Sequence, residues 1–165
     1  MKDATSIKDN RRRSFRRTED IYRKSVEEIR DYAIFMIDPT GLVTNWNRGA
    51  QHILEYTEEE IVGKNFSRFF TAEDRAQLVP QKELTTATAK GRAEDERWHV
   101  RSDGSRFWAS GVVTAVHDDA GNLIGFSKVM RDMTERNRLT EERDRFFTLS
   151  MDLLCIVVLM AGFSE

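Results

Sequence analysis

One cysteine, Cys155, is the whole thiol content of this chain. No disulfide framework and no thiolate metal cluster can form within it, which fits a reducing, cytoplasmic setting. Histidine is scarce, at three residues, and proline occurs twice. No cluster of His, Asp and Glu with metal-ligand spacing can be assembled from what remains. No glycine-rich loop runs into a Lys-Ser or Lys-Thr ahead of a helix, so a phosphate cradle is missing. None of the three histidines falls on an exposed dimerisation helix, where a kinase would phosphorylate it. These gaps leave no catalytic constellation, and the chain reads as a non-enzyme. Long apolar runs are missing too. The N-terminus has no signal-peptide core, and the apolar stretch 153–163 is shorter than the roughly 20 residues that span a bilayer. Neither sign of charge dominates: 26 Lys and Arg face 28 Asp and Glu, a net charge of −2, so nucleic acid is not an expected partner.

What is present is enough apolar material for one core. The 165 residues are 39% hydrophobic and 33% charged, which suits one domain with helical extensions. The organising stretch is 98–135, WHVRSDGSRFWASGVVTAVHDDAGNLIGFSKVMRDMTE. Its Val-, Phe-, Trp- and Ile-rich runs read as three strands. SDGS and DDAGN punctuate them, because Gly and Asn accept the positive φ of hairpin turns. Near Asp132-Met133-Thr134-Glu135 the period changes from two to about 3.6, the mark of a helix start.

Upstream, residues 1–17 are polar and Arg-rich and read as a disordered basic arm. Residues 18–31 read as a helix. Tyr22, Val26 and Ile29 form a narrow apolar stripe on it, suited to a seam with another helix. Residues 32–37 form a short strand, DPTG a turn, and 42–46 a return strand. Asn47 is placed to cap a helix over 48–54. Thr57-Glu58-Glu59-Glu60 is a capping box that Gly63 stops. Phe66, Phe69 and Phe70 cluster on one turn. A longer helix covers 72–90, interrupted near Pro80. Five strands with helices grouped between them predict an α+β domain: a five-stranded antiparallel sheet with short helices on one face, flanked by N- and C-terminal helices.

The motifs DYAIFMIDPTGLVTNWNRGAQHILEYTEEEIVGKNFSRFF, RSDGSRFWASGVVTAV and GNLIGFSKVMRDMTE carry a resemblance. From about residue 29 to 135 the chain resembles a PAS domain with its C-terminal PAC segment, and the domain is bounded here as 32–135. Glu55 departs from the glycine usual before the tyrosine. The resemblance implies a PAS fold and a sensory module that binds a small ligand or a partner. It also implies a place upstream of an output domain such as a histidine kinase or a diguanylate cyclase. Residues 136–165 read as a signalling helix, and ERDRFFTLSMDLLCIV resembles a linker into a second PAS domain. VVLMAGFSE then departs from that pattern, so a piece of a larger sensor or a truncated product is expected.

The same resemblance implies a pocket lined by Phe66, Phe69, Leu78, Leu84, His99, Ala109, Val113 and Met130. Its ligand is left open. Flavin adduct chemistry needs a cysteine where Phe66 stands, and flavin-binding amides where Ala109 and Met130 stand; His99 takes a third such position. An axial haem ligand would be expected on the long helix, where Leu78 stands. Both cofactors are therefore disfavoured. For His99 two readings conflict. Strand alternation turns Trp98 and Val100 inward and His99 to water. The resemblance turns His99 into the pocket, where its charge would respond near neutral pH.

Asp132 and Thr134 match the exit motif of the family, capping the next helix or stiffening the joint through an arginine. The helix beyond carries Leu139, Phe146 and Leu149 at seam spacing, interrupted by Glu142. A homodimer through both flanking helices is the expected assembly. A ligand-free dimerisation module is the alternative function.

Overall fold

Strand alternation decides this fold, because it sets which side chains one layer of helices must cover. The structure, a computed structural model, describes residues 17–140 and residue 142. The chain divides into two compact units between Asp132 and Met133. In the first, helical residues 17–27 (α1) precede strand β1 (Ala33–Ile37). Helices α2 (Arg48–Leu54) and α3 (Glu58–Ile61) follow, then a 3-10 turn (Phe66–Phe69), α4 (Ala72–Ala76) and α5 (Val79–Lys90). Strands β2 (Arg92–Val100), β3 (Arg106–His117) and β4 (Leu123–Asp132) complete the unit. The sheet is antiparallel in the order β1-β4-β3-β2.

The expected α+β class holds, with four strands where five were expected. The return segment makes only isolated bridges, Ile37 to Val43 and Leu42 to Asn65. Side-chain amides supply part of what a ladder would: Asn45 Oδ1 accepts from Met36 N at 2.7 Å and Asn47 Oδ1 from Ile34 N at 2.9 Å. An asparagine that takes the backbone donor leaves no regular strand behind it.

Asn47 does more than cap α2. Its Oδ1 also accepts from Ala50 N at 2.7 Å, and its Nδ2 lies 3.1 Å from each of Val26 O, Ile29 O and Tyr32 O. Those carbonyls belong to the end of α1 and the segment after it. This is why helical geometry stops at residue 27, short of the expected 31. The backbone approach is close enough that a Cβ on Gly49 would fall 2.0 Å from Tyr32 O.

The expected helix over 72–90 is two helices. Leu78 sits between them in left-handed conformation at φ 57°, and α5 restarts with Pro80 in its first turn. Leu78 was expected in the pocket lining and is instead 57% exposed. A left-handed residue at the break aims its side chain off the run of either helix, which removes it from the core.

The inner face of the sheet carries Ala33, Phe35 and Ile37, then Phe107, Ala109 and Val113, then Phe126 and Met130, all buried. One end of this layer is aromatic. Phe35 packs tilted against Trp46 at 5.0 Å between ring centres, Trp46 stacks on Phe69 at 5.5 Å, and Phe69 packs tilted against Tyr56 at 5.9 Å. Trp46 Nε1 donates to Tyr56 O at 2.9 Å, so the indole is buried without an unmade bond. On the outer face Trp98 and Trp108 pair edge-to-face across strands at 5.5 Å.

In the second unit, residues 134–140 are helical (α6), and Arg138 Nε pairs with Glu142 Oε1 at 3.1 Å. Residues 1–16 of the basic arm, Phe146 and Leu149 lie outside the described residues, while Arg17, the last residue of the expected arm, is the first of α1.

Asn47→Ala removes a helix cap and strands three carbonyls and one strand donor. Chemical denaturation is expected to show a loss of about 2–4 kcal/mol, with hydrogen exchange accelerated over residues 24–34. An unchanged exchange pattern there contradicts the role given to Asn47.

Candidate functional site

The polar half of the inner layer is built by parity. On β4 the residues of one face are Phe126, Lys128 and Met130, so the lysine points into the protein and is only 1% exposed. On β2 the inner residues include Ala93, Asp95 and His99. Asp95 pairs in register with Gly111 of β3. Gly111 makes the meeting possible: a Cβ there would lie 3.1 Å from Asp95 Oδ1 and 3.2 Å from Lys128 Cε. A strand glycine here marks a close approach of side chains. Helix α5 lays Glu83 on the same spot from above.

Lys128 Nζ donates to Glu83 Oε1 in a short contact and to Asp95 Oδ1 at 2.9 Å. Asp95 Oδ2 accepts from Arg97 Nε at 3.1 Å, and Arg97 Nη1 reaches Asp74 Oδ1 of α4 at 3.2 Å. His99 Nδ1 lies 2.9 Å from Phe69 O, so that nitrogen carries the proton of the neutral ring. Nε2 faces Asp95 Oδ2 at 3.4 Å, an approach that is a hydrogen bond only when the ring gains its second proton. Glu83 Oε2 is buried with no partner. An oxygen left so costs about 1–3 kcal/mol.

The cluster separates the titrations of its members. Burial raises Glu83 to about 7, against the pull of Lys128 and with help from Asp95. Burial also disfavours charge on Asp95, but its contacts with His99 and Lys128 outweigh that and hold it well below the usual carboxylate range. His99 is pushed down, chiefly by burial, against its contact with Asp95.

The expected pocket residues divide. Phe66, Phe69, His99, Ala109, Val113 and Met130 are all buried in the inner layer, and Leu84 packs partly buried against it. His99 faces inward at 1% exposed and Trp98 outward at 39%, the orientation the resemblance implied and alternation did not. Leu78 alone stands outside. The cleft beside α5 is different from the expected apolar hollow and charged, and none of the eight expected lining residues borders it. Glu83, Asp95 and Lys128 were not singled out from sequence. Two signals could have found them: a lysine in phase with Phe126 and Met130, and a glycine inside a strand. A cleft of about 260 Å³ opens beside the cluster, lined by Lys82, Glu83, Thr86, Ala93, Asp95 and Arg97 among others.

A second polar joint lies at the end of β4. Arg101 Nη2 donates to Asp132 Oδ2 at 2.5 Å, and Nη1 donates to Ile53 O in a short contact. The guanidinium lies 4.3 Å over the Phe107 ring. Ser102 adds bonds to Leu54 O at 3.0 Å and Glu55 O at 2.6 Å. These clasp Glu55 in left-handed conformation at φ 61°, where a glycine would sit without strain. Arg101 thus ties the end of α2 to the last residue of the sheet. In the second unit Thr134 opens the helical run, and Leu139 is 65% exposed. Among the described residues no group of acidic, His or Cys side chains could hold a metal ion, and no helix is long and apolar enough to cross a membrane.

Lys128→Met removes one partner of a buried pair and leaves two carboxyl groups facing each other. Urea denaturation is expected to show a loss of about 3–5 kcal/mol, with at least half recovered when Glu83→Gln and Asp95→Asn are added. A loss that the amides do not relieve contradicts the cluster as drawn.

A family model described as PAS domain matches residues 31–135. A curated relative, "Two-component system protein A" of Emericella nidulans, is 46% identical over 115 residues, covering 70% of this chain and 17% of that protein. The chain thus spans under a fifth of that relative's length. Solved structures share the fold. The PAS domain of a protein from Colwellia psychrerythraea superposes with a TM-score of 0.66 at 18% identity, over 72% of this chain and 98% of that one. An RNA-binding light-oxygen-voltage receptor superposes with a TM-score of 0.64 at 19% identity, over 81% of this chain and 38% of that one.

Proposed function

Because the chain belongs to the PAS-domain family, we propose that it is the sensory module of a two-component signalling protein. In this reading a small ligand or a partner acts on the inner layer between α5 and the sheet. The change passes along β4 to the helix that begins at residue 134, and from there to an output domain such as a histidine kinase or a cyclase. The module itself catalyses nothing and works in the cytoplasm. Similarity to a two-component protein supports the signalling role. The observation that carries the reading is the placement of Lys128 and Asp132 on one strand. The middle of β4 is tied to the buried cluster, and its last residue to Arg101 and, through it, to α2. Parity puts both residues on the same face of that strand. A shift at α5 therefore has a stiff path to the exit.

An absorption spectrum and native mass spectrometry of the protein from its host test for a bound ligand. A reproducible extra mass supports the sensor; its repeated absence in a tight dimer supports a ligand-free dimerisation module. That second reading has an observation of its own. Ile21, Tyr22 and Leu139 are 56%, 70% and 65% exposed on the two flanking helices; Val26 is partly so on α1, and Ile29 is partly so just past its end. Tyr22→Lys with Leu139→Lys is expected to weaken self-association in sedimentation velocity by at least tenfold, since each buries a charge in an apolar seam. Unchanged association removes the helical seam from the account. Arg101→Ala is expected to leave the aromatic core folded and to raise hydrogen exchange at residues 130–132 and 53–55. Unchanged exchange there contradicts the joint.

A further inference from the structure

We propose that the Glu83 carboxyl is a proton-binding site, and that its proton decides how firmly α5 seats on the sheet. This deepens the sensory reading by naming a ligand class for its site, and it rests on that reading only for the output.

Charge counting at the site leads there. From β4, Lys128 faces Glu83; from β2, Asp95 and Arg97 do, with His99 behind Asp95 and Glu94 at the cleft; from α4, Asp74 answers Arg97; on α5 itself, Lys82 flanks it. Strand β3 offers Gly111, which carries no side chain. Glu94 is answered by Arg92. Among the groups in direct contact, Lys128 and Arg97 balance Asp95 and Asp74 when Glu83 holds a proton. When Glu83 is ionised, one negative charge is left over in a site where Lys128 and Asp95 are 1% and 9% exposed. Its Oε2 has no donor to meet that charge. A buried charge without a partner is the costly state, and protonation is the way it is avoided. Burial accordingly holds this carboxyl at about 7, far above its ordinary 4.5.

The ionised carboxylate has one route to water. The cleft of about 260 Å³ between α5 and β2 reaches Glu83 beside Val79, Thr86 and Ala93. Both ends of α5 are left-handed, Leu78 at φ 57° and Gly91 at φ 82°, and Leu78 provides no side-chain cap. A helix hinged in this way lifts as a piece. Loss of the proton thus favours a lifted α5, with water on Glu83 and Lys128 left to Asp95.

The sign follows from linkage. The folded state holds a proton on Glu83 that the unfolded chain has lost, so this contribution is full below about 4.5 and is lost as pH rises through about 7. His99, pushed down by burial, gives the opposite slope below its ordinary 6.5, and Asp95 acts at lower pH than either. Comparison with Glu83→Gln removes both, since each remains in the variant.

The test is urea denaturation of the full chain and of Glu83→Gln between pH 4.5 and 8, with infrared detection of a buried carboxylic acid. The folding constant of the unaltered chain relative to the variant is expected to fall by up to about tenfold per pH unit until pH 7 and then level. A carboxylic-acid carbonyl band is expected to vanish over the same range and to be missing from the variant. Amide protection in α5 is expected to fall as the band is lost. A ratio independent of pH, a band lost near pH 4.5, or protection in α5 indifferent to it each overturns the proposal. Should Glu83→Gln not fold, the band and the protection of the unaltered chain decide alone. No readout involves an output domain, so failure here is separable from failure of the sensory reading.

Discussion

Lys128 holds two elements on one ammonium group: α5 through Glu83 and β2 through Asp95. The rest of the polar half follows from that tie. Gly111 is small because the lysine stem and Asp95 meet over it. Arg97 is drawn in from the strand to complete Asp95 and reaches α4 beyond. A buried network of this kind adds little stability over an apolar core of equal volume. What it adds is dependence of the packing on charge, which an apolar core does not have.

The inner layer therefore has two characters. At one end Phe35, Trp46, Phe69 and Tyr56 interlock, a core held by ring packing and not by charge. At the other end carboxylates and one ammonium set the distance between helix and sheet. His99 joins the halves. Its ring lies 4.8 Å from that of Phe70 while its nitrogens face Phe69 O and Asp95. Between the halves runs β4, which has a neighbour on each side and, among the described residues, is the last strand of the unit.

Much of the frame was legible in the sequence, where a local rule had no competitor. The turns SDGS and DDAGN, the Asn47 cap and the Thr57 capping box need only nearby atoms, and they form as read. Reading failed where tertiary bonds override local preference. The segment 42–46 has strand composition, yet Asn45 and Asn47 take backbone donors of β1 and stop a ladder. The strand stretch read as starting at Trp98 starts at Arg92, and residues 92–97 pair with residues 114–109 of β3, since Asp95 and Arg97 have partners. His99 shows alternation misleading outright: two tryptophans on the outer face pair with each other and release the histidine inward. The buried cluster stayed unread because Glu83, Asp95 and Lys128 lie 45 and 33 residues apart in the chain at their contacts. Charge normally argues for the surface, and only parity with Phe126 and Met130 speaks against it.

The central claim is a lysine ammonium sealed in the fold between two carboxyl groups, and side-chain NMR of ammonium groups examines it directly. The account predicts one slowly exchanging ammonium signal, absent in Lys128→Met and shifted in both Glu83→Gln and Asp95→Asn. A Lys128 signal that exchanges as fast as those of surface lysines, indifferent to both carboxyl substitutions, contradicts it.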